Sequence, residues 1–240
     1  MRLVHTLKIN GEAVQVSGYV VTLELSEVGR GVFKVSAPAT PAVGDVGQWS
    51  AGLGDGLAVP VLGGIVTEVH PDAAGAWRVV VKETTAALGG RAWFQVRHGT
   101  ARDILKQIEA LTGTAFVLPA ADYATERIAN FSSIGTGRDA LDLLGASLGI
   151  QAVWAGMPDG SIYWGTWHDS PFNAETLDLP EAVVGEFDPD AQAVQTGPLP
   201  QARPGIPVRV WRDDFSFEFV IAKVLHHGGK TRLSWEDFSA

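Results

Sequence analysis

The chain has no cysteine among its 240 residues. Disulfides, thiolate metal sites, iron–sulfur clusters and cysteine nucleophiles are therefore excluded. It also has no apolar run near the roughly 20 residues that a membrane-spanning helix needs. The N-terminal sequence MRLVHTLKINGEAV lacks the apolar core of a secretion signal. We therefore expect no membrane segment.

Positive charge is also scarce. The chain has 18 Lys and Arg residues against 27 Asp and Glu residues, a formal net charge of −9. Affinity for nucleic acids comes mainly from Lys and Arg side chains that bind phosphate groups. The excess of acidic residues therefore argues against a surface that binds nucleic acid tightly. A surface past which DNA slides without specific binding would suit the charge, and ordinary solubility is the simpler explanation.

The first 85 residues have the pattern of about six short β-strands. Asn10-Gly11 is a strong hairpin signal between alternating segments, and residues 61–83 read as two strands joined by the breakers of residues 71–75. A small barrel or sandwich is the natural way to bury such strands. Hydrophobic residues make up 46% of the chain, which is enough for a folded core.

The middle of the chain has the pattern of two helices. Thr100 is placed to cap the first, with Asp103 completing a capping box, and Gly113 ends it. The second follows residues 135–137 and ends at Gly149. We predict an apolar stripe on each helix, formed in the first by Ala101, Ile104, Leu105, Ile108 and Leu111 and in the second by Ala140, Leu141, Leu143, Leu144 and Leu148. Two strands then pair across the turn at residues 157–160.

A second hairpin pattern, at residues 219–236, indicates an internal duplication. Each hairpin follows a short segment that begins with Gly and ends with Trp, at residues 44–49 and 205–211, and His70 and His226 stand at matching ends. Any two antiparallel hairpins with glycine turns would look similar, and that alternative stays open. The fold class predicted is mainly β (α+β): two small related β-barrel or sandwich modules, residues 1–89 and 169–240, with an inserted α/β unit of two helices, residues 90–168.

The sequence contains no catalytic constellation, and we expect no enzymatic activity, cofactor or metal. The adjacent His226 and His227 would converge poorly on a metal ion. The acidic pairs Asp188/Asp190 and Asp213/Asp214 lack a calcium-binding loop and favour turns or solvated edges. No serine lies in a Gly-x-Ser-x-Gly elbow.

Eight tryptophans are many for this length. Trp49 and Trp211 lie at matching places in the two repeats, and aromatic residues are enriched at interfaces. They are candidate oligomer or partner contacts, with core packing as the equally weighted alternative.

Residues 61–69, residues 100–108 with Gly113, residues 137–149 and 159–162, and residues 203–208 and 224–227 carry a family resemblance. Their order resembles the tail hub proteins of long-tailed bacteriophages, the family of the phage late control protein D and of the hub part of type VI secretion spikes. The motifs cover most of the chain, although each alone is unspecific.

The resemblance implies a homotrimer in which two related barrels per subunit form a pseudo-sixfold ring. Such a baseplate hub would join the hexameric tail tube or distal tail ring to a threefold tail tip, spike or fibre. DNA would pass through its channel without specific binding, and the protein would be part of the virion, assembled in the host cytoplasm.

Two alternatives stay open. A distal tail ring protein would share the phage setting but form a hexamer. A tail-associated carbohydrate-binding protein or hydrolase would use exposed aromatic side chains as a sugar platform, and the pair of acids flanked by aromatics that such a hydrolase needs is not found in the sequence.

Overall fold

A computed structural model of the chain describes residues 3–36, 40–174, 176–212 and 215–236. The chain forms two compact units. Unit 1 comprises Met1–Glu83 and Phe172–Ala240, and unit 2 comprises Thr84–Pro171. Short 3-10 helices occur at Ala73–Gly75, Thr84–Gly89, Asp122–Ala124, Pro171–Ala174 and Glu181–Val183. No helix among the described residues has the length and apolar character needed to cross a membrane.

The first six strands of unit 1 close into a barrel. They are β1 (Leu3–Ile9), β2 (Glu12–Glu24), β3 (Arg30–Ser36), β4 (Val46–Leu53), β5 (Val59–Pro71) and β6 (Trp77–Glu83). Their spatial order is β1-β4-β5-β6-β3-β2, and β1 also pairs with β2 to complete the ring. All of these pairings are antiparallel.

The predicted hairpin at Asn10-Gly11 is confirmed, and its backbone explains the residue choice. Both residues have positive φ, 50° and 84°, which suits a type I′ turn and favours Asn and Gly. The Asn10 side chain donates to Asp45 Oδ1 at 2.8 Å and accepts from the Val46 N–H at 2.9 Å. The turn is thereby tied to the start of β4.

Unit 2 is the expected α/β unit. Its elements are β7 (Arg91–Thr100), α1 (Ala101–Thr112), β8 (Phe116–Val117), β9 (Arg127–Thr136), α2 (Gly137–Ser147), β10 (Ala152–Gly156) and β11 (Ile162–Thr166). Both helices begin with a complete capping box, Thr100 with Asp103 and Thr136 with Asp139. Gly113, at φ +72°, ends α1 as predicted.

The two apolar stripes are confirmed except at one position each. Ile104, Leu105 and Ile108 are buried, but Leu111 is 52% exposed. On α2, Leu143 is 43% exposed. The prediction was wrong at these two sites because the apolar stripe of each helix is wider than the helix face that packs against strands β7 and β9.

Strands β7 and β9 form a two-stranded sheet with an internal symmetry. The sequence Gly-Thr-x-Arg-Asp ends each strand and begins each helix, at residues 99–103 and 135–139. Arg91 pairs with Thr136 at one end of the ladder, and Thr100 pairs with Arg127 at the other. A shift of 36 positions takes Arg91 to Arg127 and Thr100 to Thr136, and each of these residues pairs with the shifted counterpart of the other. The two strand–helix units are therefore related by a local twofold axis.

The remaining strands complete unit 1. They are β12 (Leu177–Pro180), β13 (Val184–Asp188), β14 (Ala193–Thr196), β15 (Pro207–Arg212), β16 (Phe215–Val220), β17 (Lys223–His227) and β18 (Lys230–Ser234). One sheet has the order β12-β15-β16, and β17-β18-β14-β13 extend the sheet of the first barrel through the β2–β17 pairing.

These strands repeat the connectivity of the first barrel. The first barrel reads β1-β4-β5-β6-β3-β2 across its sheet, and the second half reads β12-β15-β16 and β17-β18-β14-β13. The two orders match position for position if β16 and β17 together replace the long strand β5. One pairing differs in direction, because β12 runs parallel to β15 whereas β1 is antiparallel to β4. The mainly β fold class is confirmed.

His70 and His226 stand at matching ends as predicted, each one position before the last residue of its strand, but their surroundings differ. His70 is exposed and lies 3.4 Å from Glu68 Oε2, whereas His226 is buried, with 4% of its surface exposed. The two positions therefore share their place in the strand but not their burial. The division of unit 1 into separate modules at residues 1–89 and 169–240 stays a prediction, as does the insert boundary at 90–168.

Candidate assembly surfaces

Trp211 lies on the outer face of strand β15, because its neighbours Val208 and Val210 point into the core with no exposed surface. The Trp211 ring is 48% exposed. Its Nε1 donates to Asp178 Oδ1 at 3.2 Å, and the Arg209 guanidinium lies 5.5 Å from the ring centroid. These contacts hold a large apolar ring at the surface in one orientation, as an interface residue requires.

Charged side chains lie beside this ring. Arg209 Nε donates to Glu218 Oε1 at 2.6 Å, and Arg209 Nη1 lies 3.7 Å from Asp178 Oδ1. The hydrogen bond and the negative charge of Glu218 raise the pKa of Arg209. The arrangement is an apolar centre with a polar rim, which is the common anatomy of a protein–protein contact.

Trp49 has the opposite setting. Its side chain is 1% exposed and lies in the core of unit 1. Ring centroids of Tyr19, His226 and Phe33 lie 5.0, 5.8 and 6.1 Å from it. Trp49 and Trp211 lie on strands that occupy the same place in the two strand orders, but Trp49 faces the core and Trp211 faces solvent. The contact role of both residues stays a prediction.

His226 is a buried titratable group beside Trp49. Its Nδ1 lies 3.1 Å from the hydroxyl of Thr231, and its Nε2 has no hydrogen-bond partner among the described residues. Burial, together with the positive charge of Arg203, lowers the pKa of His226 to about 4. The imidazole is therefore neutral at pH 7 and serves as a packed aromatic ring.

Glu83 ends strand β6 and the N-terminal part of unit 1. Its Oε2 accepts a hydrogen bond from the Gly29 N–H at 3.0 Å. Burial raises the pKa of Glu83 to about 7, although this hydrogen bond and nearby Arg203 favour the ionised form. Arg203 itself donates to the backbone carbonyls of Pro60 and Val61, which ties the second module to strand β5 of the first.

The acidic pairs divide between the described and undescribed parts of the chain. Asp188 Oδ1 accepts from the Ala191 N–H at 3.0 Å, so it stabilises a turn as expected. Asp213 and Asp214 lie outside the described residues. Within the described ranges, no three His, Asp or Glu side chains lie close enough together to hold a metal ion.

Trp93 and Ile134 are exposed apolar side chains that were not among the predicted contact residues. They are 61% and 83% exposed on strands β7 and β9, neither of which was predicted. A period-2 pattern in residues 91–97, with Ala92, Phe94 and Val96 on one face, could have identified β7 and placed Trp93 on the other.

Comparison with known proteins supports the phage setting. No protein-family model matches the chain. An uncharacterized 58.7 kDa protein of Haemophilus phage HP1 is 26% identical over 185 residues, which are 77% of this chain and 34% of that protein. The chain therefore spans about a third of the length of this curated relative.

Solved structures share the fold at low sequence identity. The 43 kDa tail protein of prophage MuSo2 from Shewanella oneidensis has a TM-score of 0.75 at 12% identity, covering 97% of this chain and 96% of that protein. A tail protein from Neisseria meningitidis MC58 has a TM-score of 0.72 at 15% identity, covering 99% and 97%. An E. coli component of the type VI secretion system, described as similar to T4 bacteriophage tail proteins, has a TM-score of 0.67 at 15% identity, covering 97% and 77%. The chain therefore has the fold of bacteriophage tail proteins, and it shares that fold with a component of the type VI secretion system.

Proposed function

We propose that this protein is a structural tail hub of a long-tailed phage that assembles as a homotrimer. The observation that carries the proposal is the repeated strand order within one chain, β1-β4-β5-β6-β3-β2 and then β12-β15-β16/β17-β18-β14-β13. Three copies with two related modules each present six similar surfaces around one axis. A pseudo-sixfold ring of this kind can meet a sixfold ring on one side and a threefold assembly on the other.

The partners follow from that symmetry. A hexameric tail tube or distal tail ring protein would contact the pseudo-sixfold side, and a threefold tip, spike or fibre protein the opposite side. DNA would pass through the channel without specific binding, in keeping with the net charge of −9. The protein would be part of the virion, assembled in the host cytoplasm, with a non-enzymatic role and no cofactor. The tail proteins that share the fold and the phage relative support this setting.

Trp211 is the contact that we assign to the ring. Its exposed face, oriented by Asp178 and Arg209, would pack against a neighbouring subunit or a partner ring. Trp49 would support the same ring indirectly, because its side chain fills the core of unit 1.

Native mass spectrometry of the purified 25.5 kDa chain tests the oligomeric state. Three copies are expected. Six copies would favour a distal tail ring protein instead. A monomer that cleaves or binds a polysaccharide of the host surface would favour the tail-associated hydrolase or carbohydrate-binding protein.

A further inference from the structure

The sheet of β7 and β9 has one covered face and one open face. Helices α1 and α2 pack on the covered face, where Ala92 and Phe131 are buried among helix side chains. On the open face, Trp93 and Ile134 are direct cross-strand partners and are 61% and 83% exposed. Two large apolar side chains thus form an exposed apolar centre that nothing in the described chain covers.

The rim of this face is basic. The Arg91 guanidinium lies 5.0 Å from the Trp93 ring centroid, and Arg97 is exposed on the same face. Strands β7 and β9 contain no Asp or Glu, although the chain as a whole carries a net charge of −9. The surface is therefore complementary to an apolar side chain with a carboxylate beside it.

The loop between β4 and β5 has that chemistry. Leu57 is 95% exposed, the highest value among the exposed large apolar residues, and Asp55 is exposed two positions before it. The loop is a tight turn, because the Gly56 N–H donates to the Leu53 carbonyl at 3.0 Å and Gly54 has φ +58°. The turn holds Leu57 out into solvent, which lowers the entropy cost of docking it.

We propose that the Leu57 loop of one copy docks on the Trp93–Ile134 face of the next copy, with Asp55 beside Arg91. This proposal rests on the homotrimer proposed above. The contact joins unit 1 of one copy to unit 2 of another, so it is head-to-tail, and head-to-tail contacts that close generate rings. One loop buries too little surface to hold a complex by itself, so the contact fixes the relative orientation of copies that other surfaces also join.

Disulfide trapping tests the contact directly, because the chain has no native cysteine. Leu57→Cys and Ile134→Cys are made in separate chains with different tags, mixed and oxidised. We expect a disulfide between the two tags. The matched control combines Leu57→Cys with Val43→Cys, since Val43 is also exposed, at 67%, and lies outside the proposed face. The control pair should give no more than background.

The outcomes distinguish the proposed docking contact from the proposed trimeric tail hub. A trimer that forms without the 57–134 disulfide overturns the docking contact and leaves the tail hub standing. A chain that stays monomeric at about 1 mM and gives no disulfide overturns both. Equal trapping of the control pair shows random collision and also overturns the contact.

Charge reversal adds an independent test. Arg91→Glu and Asp55→Arg should each raise the concentration at half-assembly about tenfold, because each places like charges together. A chain that carries both changes restores the opposite-sign pair and should assemble within about threefold of the wild type. If the double variant assembles no better than the single variants, Asp55 does not lie beside Arg91 and the proposed docking geometry is wrong.

Discussion

Trp49 and Trp211 stand on equivalent strands and face opposite sides of them. Trp211→Ala removes an exposed ring, so we expect the free energy of unfolding to change by less than about 1 kcal/mol. Self-association should weaken by at least about tenfold if the ring is an interface anchor.

Trp49→Ala should instead cost about 3 to 5 kcal/mol of stability, because it leaves a core cavity.

Urea unfolding and sedimentation equilibrium measure the two effects separately. Unchanged self-association in Trp211→Ala would remove this residue from the interface. A Trp49→Ala variant as stable as the wild type would contradict the core role of this ring.

Gly64 is a position where only glycine fits. A Cβ built there would lie 1.8 Å from the Lys82 carbonyl oxygen on the neighbouring strand, whereas a Cβ on Gly63 meets nothing within 4 Å. Gly64→Ala should therefore destabilise the protein by about 2 to 4 kcal/mol through forced separation of β5 from β6. Gly63→Ala is the matched control and should stay within about 1 kcal/mol of wild type in thermal unfolding. Equal effects of the two substitutions would contradict the close packing at Gly64.

His226 makes stability depend on pH in a predictable direction. Its pKa in the folded protein is about 4, below the ordinary value of 6.5. The unfolded chain therefore binds a proton at a pH where the folded protein does not. The contribution to stability is complete above pH 6.5 and is lost as the pH falls from 6.5 towards 4.

The matched comparison is wild type against His226→Gln, which removes the titration but can still bond to Thr231. Between pH 7.5 and pH 5 the wild type should lose about 2 kcal/mol more unfolding free energy than the variant. Urea titrations at the two pH values give this difference. Parallel pH profiles for the two proteins would show that His226 is not buried in its neutral form.

At the scale of elements, the two capping boxes should each contribute to the stability of unit 2. The Thr100 hydroxyl accepts from the Asp103 N–H at 3.4 Å, and the Thr136 hydroxyl accepts from the Asp139 N–H at 3.3 Å. Thr100→Ala and Thr136→Ala should each cost about 1 kcal/mol. Thr112→Ala is the control, because its hydroxyl only bonds back to the Ile108 carbonyl within the helix. If Thr112→Ala costs as much as the cap variants, the boxes have no special role.

Elements with local signals could be predicted from the sequence. The helices have caps and a 3.6-residue period, and the Asn10-Gly11 hairpin has its turn residues in adjacent positions. Strand β7 had a local signal in the alternation of residues 91–97, but its pairing with β9 spans the 26 residues between Thr100 and Arg127, including a helix, and depends on contacts distant in sequence. Strand β12 was not predicted either, and 26 residues lie between its last residue and the first residue of its parallel partner β15.

The candidate surfaces show the same limit. The matching places of Trp49 and Trp211 in the sequence predict two contact residues, but they do not determine which face of its strand each ring occupies. A single bulge reverses the inward and outward positions beyond it in its own strand, as in β5, where Val61 is the extra residue between the pairs Trp49–Leu62 and Ser50–Pro60. The full exposure of Leu57 became visible only once the strands were in place.

At the scale of the whole molecule, the two parts of unit 1 share their strand order and differ in individual side chains. His70 and His226 differ in burial, and Trp49 and Trp211 differ in facing. A pseudo-sixfold ring needs similar backbone surfaces at six places and not identical residues, because its partners can make near-equivalent contacts with related strand edges. Strand topology is therefore the property that selection on such a ring would preserve.

The most direct measurement is a density map of the purified oligomer, reconstructed without imposed symmetry. The expected map shows three copies around one axis, with their six β-modules spaced at roughly 60° intervals at a similar radius. Six copies in the ring, or three copies whose two modules lie at clearly different radii, would contradict the proposal that one duplicated chain forms a threefold ring with near-sixfold surfaces.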